Sequence, residues 1–206
     1  MDNTGFVGAG ACLGDSACAA NSGGVSRNGC QGDFSFFKNS GFVGQGACAG
    51  NSACEVNSGR VSKNGCQGNQ ACLGNSGFVG VGACLLDFAC FSNQGTVRKG
   101  GCVGGDACFA NTGTIGAGAC SGGAACIFNA GDIGKKSCEG GSACERRVGP
   151  VSEGACKGLE ACFGSGPGAI GKGACIGERA CRNNPGPIAA GDCVGPSVGG
   201  VGVCEK

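Results

Sequence analysis

Cysteine is the one side chain abundant enough in this sequence to carry chemistry: there are 21 in 206 residues, with no histidine, tryptophan or tyrosine. Thiols can ligate a soft metal, attack an electrophile or pair with one another, and spacing separates the three. Structural zinc sites favour cysteines ~2–4 residues apart or histidine partners, and the sequence has neither. A nucleophilic thiol needs a base or an electropositive setting, and no histidine is available to serve. No metal, no cofactor and no enzymatic activity are therefore expected. The cysteines read as structural disulfides.

Their order is strict. One column, Cys12, Cys30, Cys48, Cys66, Cys84, Cys102, Cys120, Cys138 and Cys156, recurs every eighteen residues and continues one residue late at Cys175 and Cys193. A second column sits six residues behind it, at Cys18, Cys54, Cys72, Cys90, Cys108, Cys126, Cys144, Cys162 and Cys181, with Phe36 and Gly199 where cysteine is missing.

Two pairing schemes fit this arithmetic. Either each C-x5-C closes within its own coil, or cysteines join neighbouring coils. The in-coil bonds would be Cys12–Cys18, Cys48–Cys54, Cys66–Cys72, Cys84–Cys90, Cys102–Cys108, Cys120–Cys126, Cys138–Cys144, Cys156–Cys162, Cys175–Cys181 and, last, Cys193–Cys204, with Cys30 a free thiol. The ladder scheme would join Cys12 to Cys30 and Cys54 to Cys72, for example, and leave Cys18 over. A disulfide wants Cβ atoms ~3.5–4.5 Å apart, whereas in-register strands stack side chains at about 4.8 Å with parallel Cβ vectors. The in-coil scheme is the expectation, and it requires a narrow, flattened coil.

Two outward columns could bind something. Directly after the second cysteine stand Phe37, Leu73, Phe91, Phe109, Ile127 and Phe163, interrupted by Glu55, Glu145 and Arg182. Phe6, Phe42 and Phe78 form a shorter set. Stacked exposed apolar residues mark an association surface; the alternative is that they only shield a corner. A basic column, Arg27, Lys63, Lys99, Lys135 and Lys172, occupies alternate coils, with Gln45, Val81, Ala117, Glu153 and Ala190 between. It reads as a solvated face. With 15 basic against 14 acidic residues, nucleic acid is not an expected partner.

The elements that hold these columns follow from a third one. Val25, Val43, Val61, Val79, Val97, Ile115, Ile133 and Val151 repeat in the same phase and resume at Ile170 and Ile188. Asn21, Asn39, Asn57, Asn75, Asn93, Asn111, Asn129 and Asn184 each precede a glycine by two residues. Both types tolerate left-handed backbone, so N-x-G reads as a corner, and stacked Asn side chains can form a hydrogen-bonded ladder. Several glycines per repeat argue against helix, at ~1 kcal/mol each relative to Ala. The expectation is all-β: a narrow parallel β-solenoid of about 18 residues per coil and about 11 coils, roughly 50 Å long at ~4.8 Å per coil.

Residues 1–206 form one solenoid in this reading, with a single inserted residue at a corner in 163–171 and a C-terminal cap over about 193–206. No apolar run approaches the ~20 residues of a membrane span. "MDNTGFVG" has neither the basic nor the apolar region of a signal peptide, while the cysteine load indicates an oxidising compartment. The chain is taken as a mature segment or a piece of a longer extracellular protein whose N-terminal end enters in mid-phrase.

The C-x5-C rhythm of "CLGDSAC" and "CVGGDAC" resembles the disulfide-braced β-solenoids of beetle antifreeze proteins. The phrase "GACSGGAACIFNAGDIGKKSC" is similar to uncharacterised Cys-rich tandem repeats of marine algae such as diatoms. The first likeness implies a stapled solenoid and, through a flat Thr-x-Thr array, ice binding. That array is absent: Thr96 and Thr114 share a column with Arg60, Phe78 and Asp132. The expected function is a rigid, disulfide-stapled extracellular structural element, partnered by itself head to tail or laterally. Ice binding on a flat face is the alternative.

Overall fold

The computed structural model describes residues 3–195. It contains no helix among them. Four short strands, β1 (Arg60–Val61), β2 (Phe78–Val79), β3 (Thr96–Val97) and β4 (Thr114–Ile115), form one parallel sheet in sequential order. Register pairs Arg60 with Phe78, Val61 with Val79, Val79 with Val97 and Val97 with Ile115. Each partner lies one repeat further along, so a coil of chain advances the rod by a single strand.

The valine ladder extends in both directions through single bridges, from Val7–Val25 to Ile170–Ile188. A second parallel ladder runs through the residue after each first cysteine, from Leu13–Gln31 to Ile176–Val194. The third side is joined by bonds running the other way: the Cys72 amide donates to the Ala53 carbonyl at 2.7 Å and the Cys90 amide to Ala71 at 2.7 Å. These three seams define a β-solenoid with one coil per eighteen-residue repeat.

Little of the coil is extended strand, because its circuit is made by left-handed residues. The first cysteine of every described repeat has positive φ, from 56° at Cys138 to 64° at Cys30. So do the residues four and eight places later, for example Phe34 (53°) and Lys38 (56°). An L-residue in that region costs ~1–3 kcal/mol, and the backbone hydrogen bonds between coils hold it there.

The N-x-G corner is built differently from expectation. Neither Asn57 nor Gly59 is left-handed; the residue ahead, Val56, is, at 54°. Glycine is required at 59 for closeness: a Cβ there would sit 2.0 Å from the Gly77 carbonyl oxygen of the next coil. The corner needs a bare backbone, not a reversed one.

A continuous core of Val or Ile, paired cysteines and alanine runs along the axis, with buried Asn beside it. The one longer repeat is absorbed locally. The Gly164 amide still bonds the Glu145 carbonyl in the usual register, yet Ile170 reaches Pro150, one residue further back than Val151 reaches to Asp132. The extra residue therefore lies between 164 and 170, and Val151–Ile170 pairing resumes beyond it. The expected cap over 193–206 falls mostly outside the described residues.

Candidate functional site

Each coil's two cysteines face inward across a narrow interior, which brings their Cα atoms to 5.5–5.7 Å, within the range a disulfide spans. The bonds present are Cys12–Cys18, Cys48–Cys54, Cys66–Cys72, Cys84–Cys90, Cys102–Cys108, Cys120–Cys126, Cys138–Cys144, Cys156–Cys162 and Cys175–Cys181. The Cys193–Cys204 pairing rests on Cys204, outside the described residues. Successive disulfides stack: the sulfurs of Cys84, Cys90 and Cys102 lie within 4.8 Å of one another, as do those of Cys120, Cys126 and Cys138. This is a column of oxidised sulfur. Metal ligation needs thiolate, which a disulfide does not offer.

Cys30 is the free thiol and is fully buried. The place of its partner is filled by Phe36, also fully buried. Burial pushes the thiol pKa well above its ordinary value, so the thiolate needed for reactivity is suppressed.

Beside the sulfur runs a ladder of amides. Asn39 Nδ2 donates to Asn21 Oδ1 at 2.9 Å, Asn57 to Asn39 at 2.8 Å, and the series continues through Asn75, Asn93, Asn111 and Asn129. Asn3 extends it at the other end, accepting from Asn21 at 3.1 Å. Each Nδ2 from Asn21 to Asn129 also donates to the glycine carbonyl two residues on, as Asn57 does to Gly59 at 3.0 Å. A polar group this deep is costly unless satisfied, and stacking satisfies it.

The ladder stops at Arg147, which occupies the Asn position of the next coil and is fully buried. Its guanidinium donates to the carbonyls of Gly166 (2.5 Å) and Gly168, both in the lengthened coil. Among the described residues, Asn129 Oδ1 and Arg147 Nε are left without partners. Desolvation lowers the Arg147 pKa to about 10, so it remains a cation at neutral pH. The sequence pattern does not single this residue out, because the column is recognisable only by its asparagines.

The aromatic column divides into separate groups. Phe91 and Phe109 stack face to face, with centroids 5.0 Å apart and planes at 3°. Phe128 meets Phe109 edge-on at 5.7 Å and Phe88 meets Phe91 at 6.1 Å. Leu73 and Ile127 are half-buried in the same column, and Leu86 and Phe128 are exposed. Phe37 instead packs edge-on to Phe34 at 6.3 Å, under Lys38, and Phe163 lies under the Arg182 guanidinium at 5.3 Å. The patch is wider than one column: Phe88 and Phe128 stand at the left-handed positions flanking it, a relation that only the coil geometry reveals.

A second polar series also went unread. The side-chain oxygens of Asp33, Asn51, Asn69 and Asp87 each accept the backbone amide of the equivalent residue one coil earlier, at 2.8–3.1 Å. Its signal was present in "CLGD", "CQGD", "CAGN", "CQGN" and "CLLD".

Fold and interior together define the class: a parallel β-solenoid whose coils are closed by their own disulfides. Within it, the chain belongs to the family described as Domain of unknown function (DUF7640), whose model matches residues 1–84, 56–139 and 120–204 in three overlapping stretches. No curated protein and no solved structure matches the chain.

Proposed function

We propose that this chain is a non-enzymatic structural rod of the extracellular space that associates with copies of itself. The observation that carries the reading is the interior: from Cys12 to Cys181 every coil but that of Cys30 and Phe36 is clamped by its own disulfide, and two parallel backbone ladders run without a gap from Val7 to Ile188 and from Leu13 to Val194, which supports stiffness along the described coils. Such quasi-one-dimensional stacking gains stability from every neighbour. The disulfide load fits an oxidising compartment, and no helix among the described residues is long and apolar enough to cross a membrane.

Lateral association would use the patch centred on Phe91 and Phe109, with Leu73, Ile127 and Phe128 around it. End-to-end association would extend the coil-to-coil hydrogen bonding that already joins neighbours. Sedimentation of the full chain at rising concentration tests this: self-association is expected, weakened in Phe91→Ser/Phe109→Ser with the fold retained. A wild-type chain that stays monomeric at high concentration would overturn the reading.

Ice binding is the alternative and has less support, since the outward residues of β1 to β4 are Arg60, Phe78, Thr96 and Thr114, a mixed set. Thermal hysteresis of the purified protein would decide in its favour.

A further inference from the structure

Charge on this rod is handled in two ways. Towards the C-terminal end, cations meet carboxylates of the preceding coil: Lys157 and Glu139 at 2.9 Å, Arg179 and Glu160 at 3.0 Å, Lys172 and Glu153 at 3.9 Å. The basic column between Arg27 and Lys135 does not. Arg27, Lys63, Lys99 and Lys135 are all exposed, and among the described residues none has a carboxylate within ion-pair distance; nor do Arg98 and Lys136 beside them.

Their spacing carries information. The cations occupy every second coil, with uncharged Gln45, Val81 and Ala117 between. At about 4.8 Å per coil the interval is roughly 10 Å, near the Debye length of ~8 Å at physiological salt. Duplex nucleic acid, with a charge every ~1.7 Å along its axis, is far denser than this row. The net charge of +1 supplies no general pull on polyanions either. The row fits a partner whose own charges are sparse and regular.

A shallow groove of about 440 Å³ opens on this row, lined by Arg98, Thr114, Asp132, Lys135 and Ser152 among others. Asp132 already accepts the Thr114 amide at 3.2 Å. Hydroxyls, cations and one engaged carboxylate are groups that hydrogen-bond a sugar ring, and the volume accommodates one.

We propose that this row binds an extended anionic polysaccharide bearing one carboxylate or sulfate per disaccharide, laid along the rod axis with a ring in the groove. Such a chain places its charges at nearly the interval of two coils. The surface is distinct from the aromatic patch, so a rod that never self-associates could still bind.

The test uses the full oxidised chain on immobilised hyaluronan, with uncharged dextran and duplex DNA as comparators at physiological salt. Hyaluronan should retain the protein, dextran should not, and retention should fall as salt rises. Lys63→Gln/Lys99→Gln/Lys135→Gln should weaken binding at least about tenfold, and the matching triple Arg variant should bind like wild type. Val81→Glu/Ala117→Glu should weaken it comparably with all cations in place, which covers the case of a poorly folded Gln variant. No retention of wild type, retention of the Gln and Glu variants equal to that of wild type, or DNA held as tightly as hyaluronan would each overturn the proposal.

Discussion

Cys30 and Phe36 occupy the two positions that disulfides bridge in the neighbouring coils, and both are fully buried. One thiol and one aromatic ring thus fill, in this coil, the space that a disulfide fills elsewhere. Phe36→Cys should give Cys30 a disulfide partner, because the adjacent coils show that the backbone here holds disulfide geometry. Intact mass should register one more disulfide than in wild type, that is, two more hydrogens lost between the reduced and the native protein, with melting no lower than wild type. Phe36→Ala should instead open a cavity costing ~3–5 kcal/mol. A native Phe36→Cys protein whose Cys30 still reacts with a thiol reagent after denaturation would refute the equivalence.

The same thiol gives a pH dependence. Its folded pKa is raised by burial, so the folded state keeps a proton that the unfolded chain releases above about pH 9. Stability from this group is complete below that pH and is lost as pH rises, by at most ~1.4 kcal/mol per unit. Denaturant melts of wild type and Cys30→Ala between pH 7 and about pH 10.5 should diverge only at the alkaline end, with wild type the steeper. Parallel curves would show that the thiol is not held neutral.

Leu86 stands in a column otherwise filled by glycine. Its φ is 89°, against 126° at Gly32 and 154° at Gly104. At Gly104 a Cβ would lie 2.3 Å from the Gly122 carbonyl oxygen. Leu86 is 58% exposed and contributes little burial to offset its strained backbone. Leu86→Gly should raise stability by about 1 kcal/mol, whereas Gly104→Leu should lower it by more than ~3 kcal/mol. Thermal melts decide, and a destabilised Leu86→Gly would mean that its side chain matters in the apolar patch.

Arg147 and the extra residue of the next coil form a compensating pair. Arg147→Asn restores an amide beside Asn129 but strands the Gly166 and Gly168 carbonyls, at a cost of ~2–4 kcal/mol. Deleting Pro167 as well should recover most of the loss, because the shortened coil then matches its neighbours. Additive losses in this double-mutant cycle would show that the two features are independent.

Period and interior were legible because every coil places equivalent residues in one environment, so Cys48, Cys66 and Cys84 report the same position repeatedly. Asn57 and Asn75 disclosed their ladder for the same reason. The backbone route was not legible: left-handed positions are taken by Cys30, Phe34, Ser52 and Glu160, types with no preference for that region. Arg147 escaped because it replaces a neutral amide by a buried cation, a substitution that only the lengthened coil explains. Phe88 and Phe128 escaped because their contact with Phe91 and Phe109 crosses columns that are separate in the sequence.

In-coil closure also bears on how such a rod can grow. A crosslink between coils would tie each repeat to a particular neighbour, and inserting one repeat would strand a thiol or force every later bond to change partners. Here an eighteen-residue unit with two cysteines brings both sulfurs of its own bond, as Cys102–Cys108 and Cys120–Cys126 do. Duplication or loss of such a unit leaves cysteine parity unchanged and needs no rearrangement elsewhere. Length becomes a freely adjustable property of the gene, limited only by what the two end coils must meet.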